Sequence, residues 1–370
     1  MRRVIGFCNL HNSPSLGELT KNRTLASTSF LGRFAFIDFT LSNFSNSGVD
    51  EIGILCQDHV RSLTKHLGFQ NSWNINTKIG SNIVMYNEEK FNNPRYNNDL
   101  NNIRTNDWFL IKSNAEFVVI APVHFLCTID YSKVIDEHIK SGADVTVVYK
   151  RIDYAKEAAI GVKALEVDDD KKVINIYENR GANNVANISL ESYVMTKDYL
   201  RKILKESLEI SSVFSLTDYL SHCINSINLK GYEYTGFVRC VDSLEKYLDV
   251  SLEMFSYDKR KELFKEGWPI YTVTHDTPPT RYGSNAKVSN SIVANGAIID
   301  GTVENSIISR SVVVSSGAKV TNSIILTETY ISNDTVLDYC IVDKYSRILC
   351  VKELKGKKNN PIYVKQGDII

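Results

Sequence analysis

Asn290-Ser291-Ile292-Val293 returns as Asn305-Ser306-Ile307-Ile308 and again as Asn322-Ser323-Ile324-Ile325, with a degenerate fourth copy at Tyr339-Cys340-Ile341-Val342. The copies stand 15, 17 and 17 residues apart. Between them, apolar residues recur at six-residue steps beside small or turn-forming ones: Gly296-Ala297, Gly301, Gly317-Ala318 and Asn333-Asp334. A repeat of this length marks a unit that cannot bury its apolar side alone and must stack on its neighbours. One inward apolar residue per flat face, with small residues at the corners, describes a left-handed parallel β-helix. A twisted antiparallel domain with chance repetition is the competing reading, and three near-identical Asn-Ser-Ile cores weigh against it. We expect the β-helix to occupy residues 284–370. Trp268-Pro269-Ile270-Tyr271 and Pro278-Pro279 mark a linker over 256–283, because proline stiffens the chain and removes backbone donors.

Upstream, over residues 1–255, short apolar runs alternate with helix-compatible segments. Strands are expected at Val4–Phe7, Asp50–Leu55, Ile83–Tyr86, Phe117–Ile120 and Val145–Tyr149. Helices are expected around Ile37–Ser45, Gln57–Leu67 and Val134–Ser141, the last stopped by Gly142. Continuous apolar strands separated by helices imply an α/β domain whose mostly parallel sheet is covered on both faces. Ligands on such sheets bind beyond the carboxyl ends of the strands, so the loop after the first strand is the first place to look for chemistry.

The chain has 370 residues, which favours two domains. Lys+Arg and Asp+Glu are 43 each, so the net charge is zero and a dedicated nucleic-acid binder is excluded. No apolar run approaches the roughly 18–20 residues of a membrane helix. The apolar start at Val4–Phe7 ends at Asn9, too soon for a signal peptide, and a cytoplasmic protein is expected. Seven widely spaced cysteines with no C-x-x-C support neither a disulfide scaffold nor a zinc site. His59 and His66 fall seven apart on the expected helix, and with no third ligand in view they are read as core or polar-face residues.

Other stretches carry a resemblance. Asp38-Phe39-Thr40-Leu41-Ser42-Asn43, Asn46-Ser47-Gly48, Leu55-Cys56-Gln57, Ile129-Asp130-Tyr131 and His138 to Asp144 occur in order. Leu244-Glu245-Lys246-Tyr247, Trp268 to Thr272 and Pro278-Pro279 extend the set. Together they resemble the sugar-phosphate nucleotidyltransferases that make ADP-glucose, over nearly the whole chain. The resemblance implies a Rossmann-like, GT-A-like mixed-sheet domain followed by the left-handed β-helix.

The catalytic members of that family carry a G-G-x-G-x-R-L loop after the first strand, whose backbone N–H groups cradle phosphate and whose Arg neutralises charge. Here the loop reads Asn9-Leu10-His11-Asn12-Ser13-Pro14-Ser15, with Ser15 at the Arg position. Mg²⁺ is held in the family by two carboxylates, and His124 and Cys240 match their positions. Neither suits a hard cation. Leu25 matches a phosphate-binding Lys, and Glu178-Asn179-Arg180 matches the sugar-phosphate motif E-K-P with its Lys gone. Gln57, Glu178, Ser189 and Tyr193 remain as pocket remnants, or as ordinary polar pocket walls. Losing one electrostatic donor costs about 10²–10³ in rate, so losing several on one transition state leaves little activity.

On this basis the sequence resembles the GlgD-type, regulatory subunits of bacterial glucose-1-phosphate adenylyltransferase. That implies a catalytic GlgC-type partner in a heterotetramer serving glycogen synthesis, or a homo-oligomer if alone. It implies a sugar-phosphate effector such as fructose 1,6-bisphosphate, with Arg33 matching an effector-binding Lys or else a plain surface residue. It implies no cofactor on this chain, Mg²⁺ being needed by the catalytic partner. Three alternatives stay open or were weighed. One is an active nucleotidyltransferase with a site rebuilt around Arg180, Asp242 and Asp99. Another is a stand-alone metabolite sensor. A β-helix acyltransferase is rejected because residues 284–345 contain no histidine.

Overall fold

The computed structural model describes residues 2–49, 51–68, 73, 81–87 and 94–370. The chain forms two compact units, each gathered from separated stretches. The first comprises Met1–Ser13, Ile37–Cys240 and Gly267–Tyr271; the second comprises Pro14–Phe36, Val241–Glu266 and Thr272–Ile370.

In the first unit, Val4–Asn9 lies between Phe117–Pro122 and Glu51–Cys56, and Ser81–Tyr86 follows, all four parallel. Every residue of Val4–Asn9 and Phe117–Pro122 is buried, which is why these strands read as unbroken apolar runs. The strand expected from Asp50 is seen from Glu51; Asp50 lies outside the described residues. Past Phe117–Pro122 the sheet turns antiparallel. Ala186–Thr196 pairs antiparallel with Phe117–Pro122, Val145–Ile152 and Lys163–Val167, and Val173–Glu178 forms the edge. Leu229–Glu233 completes a nine-stranded mixed sheet.

Helix Phe36–Asn46 is tied down by its polar residues. Asn43 Nδ2 donates to the Cys127 carbonyl at 3.0 Å, and Trp268 Nε1 donates to Asn43 Oδ1 at 3.0 Å. The Tyr271 N–H donates to Ser42 Oγ at 2.8 Å, so Ser42-Asn43 anchors the Trp268–Tyr271 stretch. Helix Tyr131–Ser141 starts where Asp130 accepts from the Ser132 N–H and stops at Gly142, whose φ of 61° few other residues adopt. The helix expected over Gln57–Leu67 begins only at Val60, because His59 has a left-handed φ of 48°. His59 and His66 therefore do not share a helix face. His66 Nε2 sits 2.7 Å from Oδ1 of the fully buried Asp38.

The second unit is built on a left-handed β-helix of three five-stranded parallel sheets, each taking one strand from every coil. The repeat has a direct geometric reading. Asn290, Asn305, Asn322 and Tyr339 sit at one corner with φ of 42°, 47°, 48° and 49°. Asparagine is among the few side chains that tolerate this region, which is why it recurs. The serine behind each Asn accepts the backbone N–H of the next coil. Ser306 donates to Ser291 Oγ at 3.1 Å, Ser323 to Ser306 Oγ at 3.1 Å and Cys340 to Ser323 Oγ at 2.9 Å. Ile308, Ile325 and Val342 follow as fully buried core residues.

Sequence-distant stretches join this unit. Arg23 donates to both carboxylate oxygens of Asp343, at 2.8 and 2.6 Å, and both side chains are buried. The Tyr363 hydroxyl donates to Asp343 Oδ2 at 2.5 Å. The Tyr247 hydroxyl donates to the Ser29 carbonyl at 2.7 Å, and helix Tyr257–Leu263 stands inside the stretch read as a linker. None of the seven cysteines is joined in a disulfide. Among the described residues no helix is long and apolar enough to cross a membrane.

Candidate functional site

The first unit's candidate site lies at the carboxyl end of Val4–Asn9. A loop that cradles phosphate needs backbone N–H groups free to point at the ligand. Here three of those donors are engaged within the chain. The Leu10 N–H donates to the Leu55 carbonyl at 3.1 Å, His11 N–H to Asn9 Oδ1 at 3.0 Å, and Ser13 N–H to the Leu10 carbonyl at 3.3 Å. Pro14 has none.

The side chains of Asn9, His11 and Asn12 are engaged as well, whereas the buried Ser13 hydroxyl has no hydrogen-bond partner among the described residues. Asn9 Nδ2 donates to Asp99 Oδ2 at 2.9 Å. Asn102 Nδ2 lies 3.0 Å from His11 Nε2, while His11 Nδ1 lies 3.2 Å from the Asn97 carbonyl. With Asn102 donating to Nε2, the His11 proton sits on Nδ1. Asn12 Nδ2 donates to Glu191 Oε2 at 3.0 Å.

Asp99, a residue of the rebuilt-site alternative, is buried and accepts from Asn9 and from the Leu100 and Leu216 N–H groups. Burial raises its carboxyl above the usual range, and the three donors oppose this. Glu191 was not singled out by the sequence reading. It interrupts the pairing of Ala186–Thr196 with Val145–Ile152 at a bulge between Ser189 and Ser192, with φ of 48°. A left-handed backbone at a glutamate costs about 1–2 kcal/mol and persists only where the surroundings enforce it. Burial pushes the Glu191 carboxyl up to about 7; the Asn12 hydrogen bond opposes that, and Asp99 adds to it. No local pattern announces this residue, because one bulged position leaves the flanking apolar alternation readable as an ordinary strand.

The remnant residues are partly gathered here. Ser189 Oγ accepts the Glu191 N–H at 3.1 Å. The Tyr193 hydroxyl lies 2.9 Å from Thr217 Oγ1, and burial drives its phenol far above the ordinary range. The Gln57 carbonyl accepts from Asn97 at 3.1 Å. Glu178 and Arg180 are exposed, while Asn179 between them is buried and donates to the carbonyls of Ala155, Ala158 and Ala159. That motif holds a turn.

His124 and Cys240, which the resemblance sets at metal-carboxylate positions, are brought close together. Cys240 pairs with Phe125, the neighbour of His124, across strands Val238–Cys240 and Phe125–Cys127. His124 is buried, its Nδ1 lacks a hydrogen-bond partner among the described residues, and burial holds its pKa down to about 4. It is therefore neutral at physiological pH. Among the described residues no group of three metal-ligating side chains converges. A neutral imidazole and a thiol do not fit Mg²⁺, which takes hard oxygen donors.

The second unit contains Ser15, Leu25 and Arg33. Ser15 Oγ accepts the Gly17 N–H at 3.3 Å. Leu25 is a core side chain at 1% exposure. Arg33 lines a cavity of about 550 Å³ together with Arg260, His275, Arg310, Phe34 and Phe264. None of its described lining residues is acidic. The hairpin of Ser29–Phe30 and Phe34–Ala35 presents Arg33 through a turn at Leu31 and Gly32, with φ of 51° and 70°. A Cβ on Gly32 would meet the Ile308 carbonyl oxygen at 3.2 Å, so this turn needs glycine for closeness as well as for φ. Arg33 is legible in the sequence, whereas Arg260, His275 and Arg310 come from separate stretches and are not. Arginines lining one cavity suit phosphate or carboxylate, which guanidinium groups bind bidentately.

The sequence matches the nucleotidyl transferase family model over residues 15–235 and the GlmU-like C-terminal hexapeptide model over residues 277–353. Similar proteins include a glucose-1-phosphate adenylyltransferase of Clostridioides difficile, 28% identical over 319 residues covering 84% of this chain and 81% of that one. Glucose-1-phosphate adenylyltransferase 2 of Vibrio cholerae is 28% identical over 361 residues, covering 90% and 87%. A glucose-1-phosphate adenylyltransferase of Bacillus cytotoxicus is 26% identical over 352 residues, covering 93% and 92%.

Proposed function

The chain belongs to the nucleotidyl transferase family, and on that premise we propose that it is a non-catalytic, regulatory subunit of glucose-1-phosphate adenylyltransferase. The observation that carries the reading is the internal engagement of the first-strand loop. Its N–H groups at Leu10, His11 and Ser13 serve the chain itself, and the partly buried carboxyl group of Glu191 holds Asn12. A site so arranged offers a nucleotide's phosphates no cradle. The neutral His124, with Cys240 paired to its neighbour Phe125, supports the same reading, and so do the three donors on Asp99, which compete with a rebuilt metal site.

The retained capacity for anions is in the second unit. We assign the cavity of Arg33, Arg260, His275 and Arg310 to a phosphorylated sugar effector of the fructose 1,6-bisphosphate class. The chain then acts on ADP-glucose synthesis, and so on glycogen formation, through a catalytic partner that holds Mg²⁺. The test has two arms. The purified chain is given ATP, glucose 1-phosphate and Mg²⁺, and no ADP-glucose above background is expected; robust formation overturns the proposal. The chain is then added to a catalytic subunit with and without fructose 1,6-bisphosphate. A change in rate, affinity or effector response is expected, and no change in any of them counts against the regulatory role.

A further inference from the structure

The β-helix has three outer faces of different character. On one sheet the outward rungs are Arg281, Ile298, Val313, Tyr330 and Arg347, in register across five coils. Their neighbours Ile299, Val314, Ile331 and Ile348 are fully buried, so the named rungs face out. Ile298 and Tyr330 are 42% and 37% exposed, and Leu349 beside Arg347 is 44% exposed. A shallow groove of about 360 Å³ crosses this face between Val313, Glu328, Tyr330, Arg347 and Leu349. The second sheet presents Lys287, Thr302, Lys319, Val336 and Glu353, polar at every rung but one. The third buries Ile307, Ile324 and Ile341 on one side and Ile308, Ile325 and Val342 on the other.

The first face is thus an apolar ladder closed at each end by an exposed arginine. At about 4.8 Å per rung the two arginines stand about 19 Å apart. This pattern decides between a second copy and a different chain. A two-fold axis along the ladder places Arg281 on Arg281 and Arg347 on Arg347. A two-fold axis across it, through Val313, places Arg281 on Arg347. Either way like charges meet, and Glu328 falls opposite Ser332 or Gly296 rather than an arginine. Closed homodimers are built on such two-folds, and like charges facing each other at an interface oppose assembly.

We propose that this face docks a different chain, one that presents an apolar strip flanked at both ends by carboxylates. A standard interface covers about 800 Å² per partner, so the ladder is its centre and not its full extent. The identity of the probe used below rests on the regulatory reading; the surface itself rests on the ladder.

The experiment uses the full chain and a co-expressed catalytic glucose-1-phosphate adenylyltransferase from the same organism, followed by analytical ultracentrifugation. Tyr330→Glu, and separately the double reversal Arg281→Glu with Arg347→Glu, are expected to weaken the complex about tenfold or more, as central interface residues do. Lys319→Glu on the second sheet is the folding and charge control and is expected to leave it intact. If Tyr330→Glu and the double reversal both bind like the unmodified chain, the surface assignment fails while the regulatory reading stands. If the unmodified chain forms no complex, the regulatory reading fails and takes the partner with it. If the chain alone self-associates and Tyr330→Glu disperses it, the occupant is a second copy and the proposal is overturned.

Discussion

Glu191→Gln separates the charge of the buried carboxyl group from its shape. Gln keeps the side-chain length and an oxygen that accepts from Asn12 Nδ2, now at 3.0 Å. It leaves the φ of 48° in place, so backbone strain is constant in the comparison. What changes is ionisation. Burial raises the carboxyl from 4.5 to about 7, so the folded state holds its proton more tightly than the unfolded state does. Stability associated with this group is complete below about pH 4.5 and is lost as pH rises through about 7. The full displacement corresponds to about 3 kcal/mol, an upper bound because the side chain retains some exposure. The variant should therefore exceed the native chain in stability by up to about 3 kcal/mol at pH 8 but by only about 1 kcal/mol at pH 5. Urea unfolding followed by circular dichroism at both pH values measures this. An equal gain at pH 5 and pH 8, or a loss at pH 8, would refute the argument, since packing and strain have no such pH dependence.

Four further outcomes are expected. Arg23→Ala should cost about 3–5 kcal/mol by stranding Asp343, whereas the joint replacement Arg23→Met with Asp343→Leu should cost much less; thermal unfolding of the two variants distinguishes them. Ser323→Ala removes both the acceptor for the Cys340 N–H and the donor to the Thr321 carbonyl at 2.6 Å, and should cost about 1–3 kcal/mol by the same measurement. Arg310→Ala should weaken fructose 1,6-bisphosphate binding about 10- to 100-fold in calorimetry, the worth of one charge-assisted contact, and unchanged affinity would remove the cavity from the effector role. His124, held down to about 4, contributes stability present above about pH 6.5 and lost as pH falls toward 4; His124→Phe should flatten that part of the stability profile in acid titration.

The β-helix was legible because its geometry and its sequence share one period. Each coil needs a left-handed corner and a backbone acceptor for the next coil, and Asn-Ser supplies both in two residues. The fourth copy shows what the pattern requires. Tyr339 takes the corner at φ of 49° without asparagine's ease, and Cys340 still donates its N–H downward to Ser323. The parallel strands were legible for a related reason: burial on both faces writes an unbroken apolar run. The start of the helix at Val60 was not legible, because His59 turns the chain left-handed with no glycine to announce it. Local pattern is equally silent about Arg23 and Asp343, which lie 320 residues apart in sequence.

The site divides along the same line. Departures from the pattern that the resemblance implies are visible one residue at a time, so Ser15, Leu25, His124 and Cys240 stand out without a structure. What surrounds the loop is not visible that way, because it is built from contacts between distant residues. Asn12 meets Glu191 across 179 residues, and Asn9 meets Asp99 across 90. These contacts alter what the missing glycines mean. A loop that had only lost its glycines would keep N–H groups turned outward and would bind phosphate poorly. This loop spends the N–H groups of Leu10, His11 and Ser13 on Leu55, Asn9 and Leu10 and ties Asn9 and Asn12 to the carboxyl groups of Asp99 and Glu191, so a single introduced cation meets a loop already engaged within the chain. Introducing arginine at Ser15 alone is accordingly expected to leave nucleotide binding undetectable by calorimetry. Measurable ATP binding by Ser15→Arg would show that the loop opens more easily than its hydrogen bonds indicate, and would return the active-transferase reading to contention.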